Sequence, residues 1–244
     1  MLFIPRTPGS GGRILKRLLG AARGRASALF FSACVLIRYG RLGWYVVKAR
    51  RIFTCRQPHE TLALARHCFS LPDDAAIVVV GAFLGYTAIA LAGARKIRGS
   101  GKVHCVDAFD VTVEPLGAAL LQPVLERQSL PHRRQFESNI QRAGVGDWTI
   151  VHPGLAHQVA MTWNTKIDFL FIDIDARYEA VAPVLHLFAA HLGCGGIVAL
   201  ADSYPAEEEL SRLVEERFRS PDYALLEVVG TITFAQRQTC RRSQ

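Results

Sequence analysis

The run AIVVVGAFLGYTAIALA at residues 76–92 decides the fold. Its first five residues are apolar and mostly β-branched, as in a strand buried on both faces. Gly81 and Gly85 then bracket a tight turn, and Tyr86 to Arg95 is rich in the helix formers alanine and leucine. Strand, glycine turn and helix in that order open a βαβ unit, and such units build parallel sheets. At the turn, backbone N–H groups and the positive end of a helix dipole face the carboxyl edge of the sheet, where open α/β sheets take their ligands.

Downstream the alternation repeats. Strands are expected at Val103 to Val106, Thr149 to His152, Ile167 to Ile172 and Gly196 to Ala201, with helices around Gln135 to Ala143, Tyr178 to His191 and Ala206 to Phe218. A long Pro-containing insertion separates the second strand from the Gln135 helix. Ala224 to Val229 and Thr231 to Ala235 flank Gly230 too closely for a crossover helix and must pair antiparallel. The expected fold is α/β: a Rossmann-like, doubly wound, mostly parallel seven-stranded sheet with a C-terminal antiparallel strand pair, preceded by N-terminal helices.

The charge divides the chain. Of 244 residues carrying a net +8, residues 1–60 hold twelve of the 29 Lys and Arg but only Glu60 of the 21 acids. Residues 61–244 are therefore mildly acidic, which disfavours a phosphate-tracking groove and a nucleic-acid partner. The expected division is a basic N-terminal helical extension, 1–60, and a ligand-binding domain, 61–244. Ala26 to Ile37 is too short to span a bilayer, which needs roughly 20 apolar residues, and Arg38 and Arg41 interrupt its continuation. Two readings of the extension stay open: accessory helices capping the core or a dimer partner, and an interfacial segment held by anionic lipid. The six cysteines show no C-x-x-C or metal-ligand spacing and are read as reduced, which suits the cytoplasm or the inner face of a membrane.

Chemistry enters at the strand ends. The spacing G-x-x-x-G does not meet the G-x-G-x-x-G dinucleotide fingerprint, which disfavours an NAD-dependent oxidoreductase. Asp107 ends the second strand, where an acid can accept both hydroxyls of a ribose. Asp173 ends the fourth strand and Asp202 the fifth, so acids converge on one crevice.

The segments VVVGAFLGYTAIALA, GKVHCVDAFD, IDFLFIDIDARYEAVAPVL and LGCGGIVALADS together resemble the successive motifs of class I S-adenosylmethionine-dependent methyltransferases. They are most similar to the small-molecule O-methyltransferase group whose fourth strand reads I-D-G-D-H-x-Y-E. The resemblance covers roughly residues 75–238. It implies a cofactor site of Gly81, Ala82, Phe83, Gly85, Tyr86 and Thr87 around the methionine portion, Asp107 and Ala108 at the ribose, and Phe109, Gly154 and Leu155 near the adenine. Asp173 is then the catalytic carboxylate facing the sulfonium, and Asp173 and Asp202 are the ligand pair for Mg²⁺ in relatives that use it. Hard carboxylate oxygens do suit that ion.

Three positions depart from the pattern. Val80 replaces the acid that often ends the first strand, and Ile174 and Ala176 replace the glycine and histidine of I-D-G-D-H. Ala176 cannot move a proton. His132 and His152 are the histidines placed to reach the crevice, and Arg177 and Tyr178 follow the fourth-strand motif, yet each has an ordinary structural explanation. The resemblance implies O-methylation of a hydroxylated small molecule such as a sugar or secondary metabolite. The alternatives are a cofactor-binding protein with lost or altered chemistry and, less favoured, a macromolecule methyltransferase. Base-amine methylation is disfavoured, because Asp173-Ile174-Asp175-Ala176 stands where an Asn/Asp-Pro-Pro-aromatic motif would be needed. A homo-oligomer stays open.

Overall fold

A computed structural model describes residues 32–110, 121–202 and 208–239. The helical stretch 32–49 (α1) is followed by α2 (Pro58–Ser70), β1 (Ala76–Val80), α3 (Tyr86–Arg98) and β2 (Lys102–Asp107). After a short helix at 121–125 (α4) come α5 (His132–Ala143), β3 (Thr149–Pro153), α6 (Ala156–Met161) and β4 (Ile167–Ile172). The chain continues through α7 (Tyr178–Ala189), β5 (Leu192–Leu200), α8 (Glu208–Phe218), β6 (Tyr223–Val229) and β7 (Ile232–Arg237). The seven strands order as β3-β2-β1-β4-β5-β7-β6. All pairings are parallel except those of β7 with β5 and with β6.

This is the expected Rossmann-like sheet, and its pleat explains the apolar runs. Successive side chains of a strand point to opposite faces. Ile77 and Val79 accordingly join Phe169 and Phe171 under α2, α3 and α5, while Val78 and Val80 join Leu170 and Ile172 under α7 and α8. Both faces of the central strands β1 and β4 are covered, so a polar residue within them needs a partner, while the edge strands β3 and β6 keep exposed positions.

β5 starts earlier than its apolar run predicts. Leu192 pairs with Ile167 through the glycine-rich Gly193-Cys194-Gly195-Gly196, and the register shifts between Ile167 and Phe169 to absorb the irregularity. Gly195 has φ 73°, which a β-branched residue would not adopt. Tertiary pairing overrides low strand propensity here.

The N-terminal helices cap the core. The stretch 32–49 bends at Gly40, with φ 53°, and folds its second arm back until a Cβ on Gly43 would lie 2.7 Å from the Val35 carbonyl oxygen. Val35, Val46, Val47 and Ala49 belong to the same buried cluster as β1. α2 runs across residue 60 and packs on α3, tied by Arg95, which is fully buried and donates to the carbonyls of Cys68, Leu71 and Pro72.

The cysteine reading needs one correction. Cys34, Cys55, Cys68 and Cys105 are free, but Cys194 is disulfide-bonded, in contacts the spacing of the sequence does not signal. Among the described residues, no helix is long and apolar enough to cross a membrane.

Candidate active site

The strand ends are knitted together one residue beyond their last ladder position. Gly81 N–H donates to Val106 O, Asp173 N–H to Val80 O, and Gly154 N–H to Asp107 O, each at 2.9 Å. The Ala201 N–H reaches Ile172 O at 3.0 Å. These bonds bring Gly81, Asp107, Asp173 and Asp202 to one edge of the sheet. Gly81, with φ 86°, must be glycine because a Cβ would sit 1.9 Å from the Asp173 carbonyl oxygen.

Asp107 organises the glycine turn. Its Oδ2 accepts the Phe83 N–H at 2.7 Å, and its Oδ1 accepts the Phe109 N–H at 2.6 Å. Both donors lie in residues with positive φ, 45° and 53°, a costly conformation for a bulky side chain that this carboxylate holds in place. Each carboxylate oxygen has a second lone pair to offer a ligand.

Gly81, Phe83, Asp107, Ala108, Leu155 and Asp173 line one cleft together. The other residues expected at the cofactor lie around it. Ala82 and Tyr86 belong to the buried core and Thr87 is 8% exposed, with the Tyr86 hydroxyl turned toward Thr61. Gly85 caps the start of α3 at φ 92°. Gly154 sits behind Asp107, and Phe109 borders the cleft through its ring contact with His132, 5.3 Å between centroids.

His132 is the histidine the crevice includes. It lines the cleft edge-on to Phe83, and both its ring nitrogens are buried without a hydrogen-bond partner. His152 lies elsewhere, pairing its Nε2 with Nδ1 of His104 at 2.9 Å beside Trp163. Arg177 pairs with Asp175 at 2.8 Å, and the Tyr178 hydroxyl donates to Glu216 at 2.7 Å under the Arg212 guanidinium. Ala176 packs on the apolar layer beneath α7.

The enclosed part of the cleft is about 100 Å³. A larger cavity of about 800 Å³ lies between α1 and α5, lined by Lys48, Arg50, Arg51, Arg127 and Arg142 and, among the described residues, by no carboxylate. Size alone would select the second. The converging strand ends, the oriented N–H groups and the acids select the first.

One participant is not signalled by any motif. Arg56, 7% exposed, leaves the α1–α2 connection and extends between the two acids expected to hold Mg²⁺. Its Nη2 is 2.7 Å from both Asp202 oxygens, its Nε is 3.4 Å from Asp173 Oδ2, and its Nη1 donates to Thr231 Oγ1 at 3.0 Å. Burial pulls the guanidinium pKa down, but the charges of Asp173, Asp202 and Glu60 outweigh it and raise the value above the ordinary arginine range. Asp202 is itself held at φ 52°. Among the described residues no group of three or more His, Cys, Asp or Glu could hold a metal ion, and Ser203 lies outside them. With Arg56 Nη2 and Nε already standing between Asp173 and Asp202, a divalent ion does not fit there as the described side chains stand.

Solved structures with this architecture include the SAH-bound methyltransferase PaMTH1 of Podospora anserina, 12% identical over 98% of this chain and 100% of its own, with a TM-score of 0.59. The O-methyltransferase TomG of Streptomyces achromogenes, involved in tomaymycin synthesis and solved with SAM, is 16% identical over 88% of this chain and 96% of its own, with a TM-score of 0.57. An O-methyltransferase of Bacillus cereus in complex with SAH is 18% identical over 87% and 97%, with a TM-score of 0.54. A comparison with curated proteins finds no match. The model of a methyltransferase domain matches residues 78–203, which run from β1 through every strand end of the cleft, and the chain belongs to that family.

Proposed function

We propose that the protein transfers a methyl group from S-adenosylmethionine to a hydroxyl oxygen of a small molecule, a sugar or secondary metabolite. The observation that carries the reading is Asp107, whose carboxylate fixes the amides of Phe83 and Phe109 and which lines one cleft with Asp173. O-methyltransferases among the structural neighbours point the same way.

The cofactor supplies an activated methyl group on a sulfonium. In this reading the protein supplies position. The Gly81 to Gly85 turn wraps the methionine portion, and Asp107 accepts the ribose hydroxyls on its remaining lone pairs. Phe109, Leu155 and His132 flank the adenosine, and the Asp173 carboxylate offsets the positive sulfur. In-line displacement needs little more than correct placement and exclusion of water. The residues present do not fit Mg²⁺, and no step is assigned to it.

A second reading, a cofactor-binding protein with lost or altered chemistry, draws its support from Ala176, which has no proton to move. Calorimetry separates the classes. Binding of S-adenosylmethionine or its demethylated product, with none of NAD, is the expected result; binding of NAD alone would defeat the proposal. Turnover with a panel of phenols and sugars then distinguishes the enzyme from the binding protein.

For the N-terminal segment, contact with anionic lipid draws support from Ile37 and Trp44, 86% and 50% exposed beside Arg38 and Arg41. Pelleting of the full chain and of an Ile37→Ser, Trp44→Ser variant with phosphatidylserine vesicles at low salt tests it; both forms staying in solution would refute it. A homo-oligomer is the companion proposal for this face, read by light scattering.

A further inference from the structure

We propose that the Arg56 guanidinium is the resident cation of the acceptor site, standing in place of a divalent metal between Asp173 and Asp202. The inference rests on the methyltransferase reading of the cleft.

Two carboxylates at neighbouring strand ends repel one another and need a counter-charge. A divalent ion would have to approach oxygens of both at about 2.0–2.1 Å with near-octahedral geometry. Arg56 already occupies that approach, with Nη2 2.7 Å from both oxygens of Asp202 and Nε 3.4 Å from Asp173 Oδ2. Arginine suits the position because its planar fork meets two carboxylates at once and it stays charged when buried.

The arginine is built in rather than draped across. Its backbone N–H donates to Thr54 Oγ1 at 2.9 Å, and the next residue, Gln57, donates to Glu60 Oε2 at 2.7 Å as α2 begins with Pro58. Glu60, 2% exposed, turns its other oxygen to the Thr231 N–H at 2.7 Å, and Thr231 in turn accepts from Arg56. Three separate chain segments thus hold the guanidinium. Expelling it would leave Glu60, Asp173 and Asp202 crowded without a compensating charge, and removing one partner of a buried ion network is strongly destabilising.

A ligand-facing role follows from two details. Three carboxylates against one guanidinium leave the site net negative, which favours a cationic sulfonium next to Asp173. The buried Arg56 Nε–H has no hydrogen-bond partner within normal geometry. It lies 3.4 Å from Asp173 Oδ2, and Asp173 lines the cleft, so the cation nearest the acceptor is a fixed side chain and not an exchangeable ion.

Manganese binding decides the matter without knowledge of the acceptor. Full-length protein with S-adenosylhomocysteine is titrated with Mn²⁺ and the free ion read by electron paramagnetic resonance. The wild type is expected to take up no Mn²⁺ at up to about 1 mM, the weak end of protein sites for divalent cations. Arg56→Ala, with folding checked by circular dichroism, is expected to gain a Mn²⁺ site that Asp202→Asn in the same background removes. Uptake by the wild type that Asp202→Asn abolishes would overturn the proposal, as would a folded Arg56→Ala that takes none. Should Arg56→Ala not fold, the wild-type titration still decides. Failure of S-adenosylhomocysteine to bind would instead sink the methyltransferase reading of the cleft, a separate outcome.

Discussion

Asp107 carries two duties with one carboxylate. It anchors the Phe83 and Phe109 amides and, in the proposed function, accepts the ribose. A hydrogen bond to a charged group contributes about 1.5–3 kcal/mol, so losing even one in Asp107→Ala should weaken S-adenosylhomocysteine binding by about 10-fold or more in calorimetry. Unchanged affinity in a folded variant would remove Asp107 from the site. The spacing of the acid behind a glycine turn made this residue legible, because strand ends in parallel sheets fall at predictable positions. His132 was legible only as one of two candidates, the other of which, His152, pairs with His104 away from the cleft. The place of His132 depends on how α5 docks against Phe83 and Phe109 after an insertion whose sequence carries no motif.

Among the elements, α3 shows why local propensity is a weak guide. Gly93 lies in the helix interior, where glycine costs about 1 kcal/mol relative to alanine. The tertiary contact explains it: a Cβ there would meet the Tyr45 ring of α1 at 2.1 Å. Gly93→Ala is therefore expected to lower stability by about 1–3 kcal/mol in spite of the better helix former, the usual cost of overpacking. Tyr45→Ala should make the same substitution neutral or stabilising, a non-additivity read from denaturant midpoints of the single and double variants. Additive effects would mean that α1 does not dock on α3 as described. The strands were far easier to foresee: β1 and β4 begin and end where their apolar runs do, whereas β5 extends through glycines because its partner strand supplies the ladder.

For the whole molecule, the His104–His152 pair couples folding to pH. The two rings share one hydrogen bond at 2.9 Å, so one nitrogen donates and the other accepts, and at most one ring can carry an extra proton. Burial, reinforced by the nearness of His152, holds His104 down at about 4, and burial lowers His152 as well. Both folded values lie below the unfolded value near 6.5, so the unfolded chain binds more protons between them. The stabilisation is present above about pH 6.5 and is lost as pH falls toward 4. The thermal midpoint should drop through that window, and the double variant His104→Val, His152→Phe should flatten the drop. A wild-type midpoint that does not move between pH 7 and pH 4 would contradict the assignment.

Sequence alone determined the sheet, the direction of its strands and the arrival of Asp107, Asp173 and Asp202 at one edge. Those features follow from local composition and from the period of two along a strand, which need no knowledge of distant residues. Tertiary structure decided what stands among the acids. Arg56 reads in the sequence as one more positive charge in a basic N-terminal segment, and it meets Asp202 across a separation of 146 residues. No spacing rule reaches that far: the meeting depends on α1 packing against α3 through Tyr45 and Gly93 and on α2 starting where Glu60 can bond to Thr231. The sheet edge is written locally, and the charge that completes it is placed only by the packing of the whole chain.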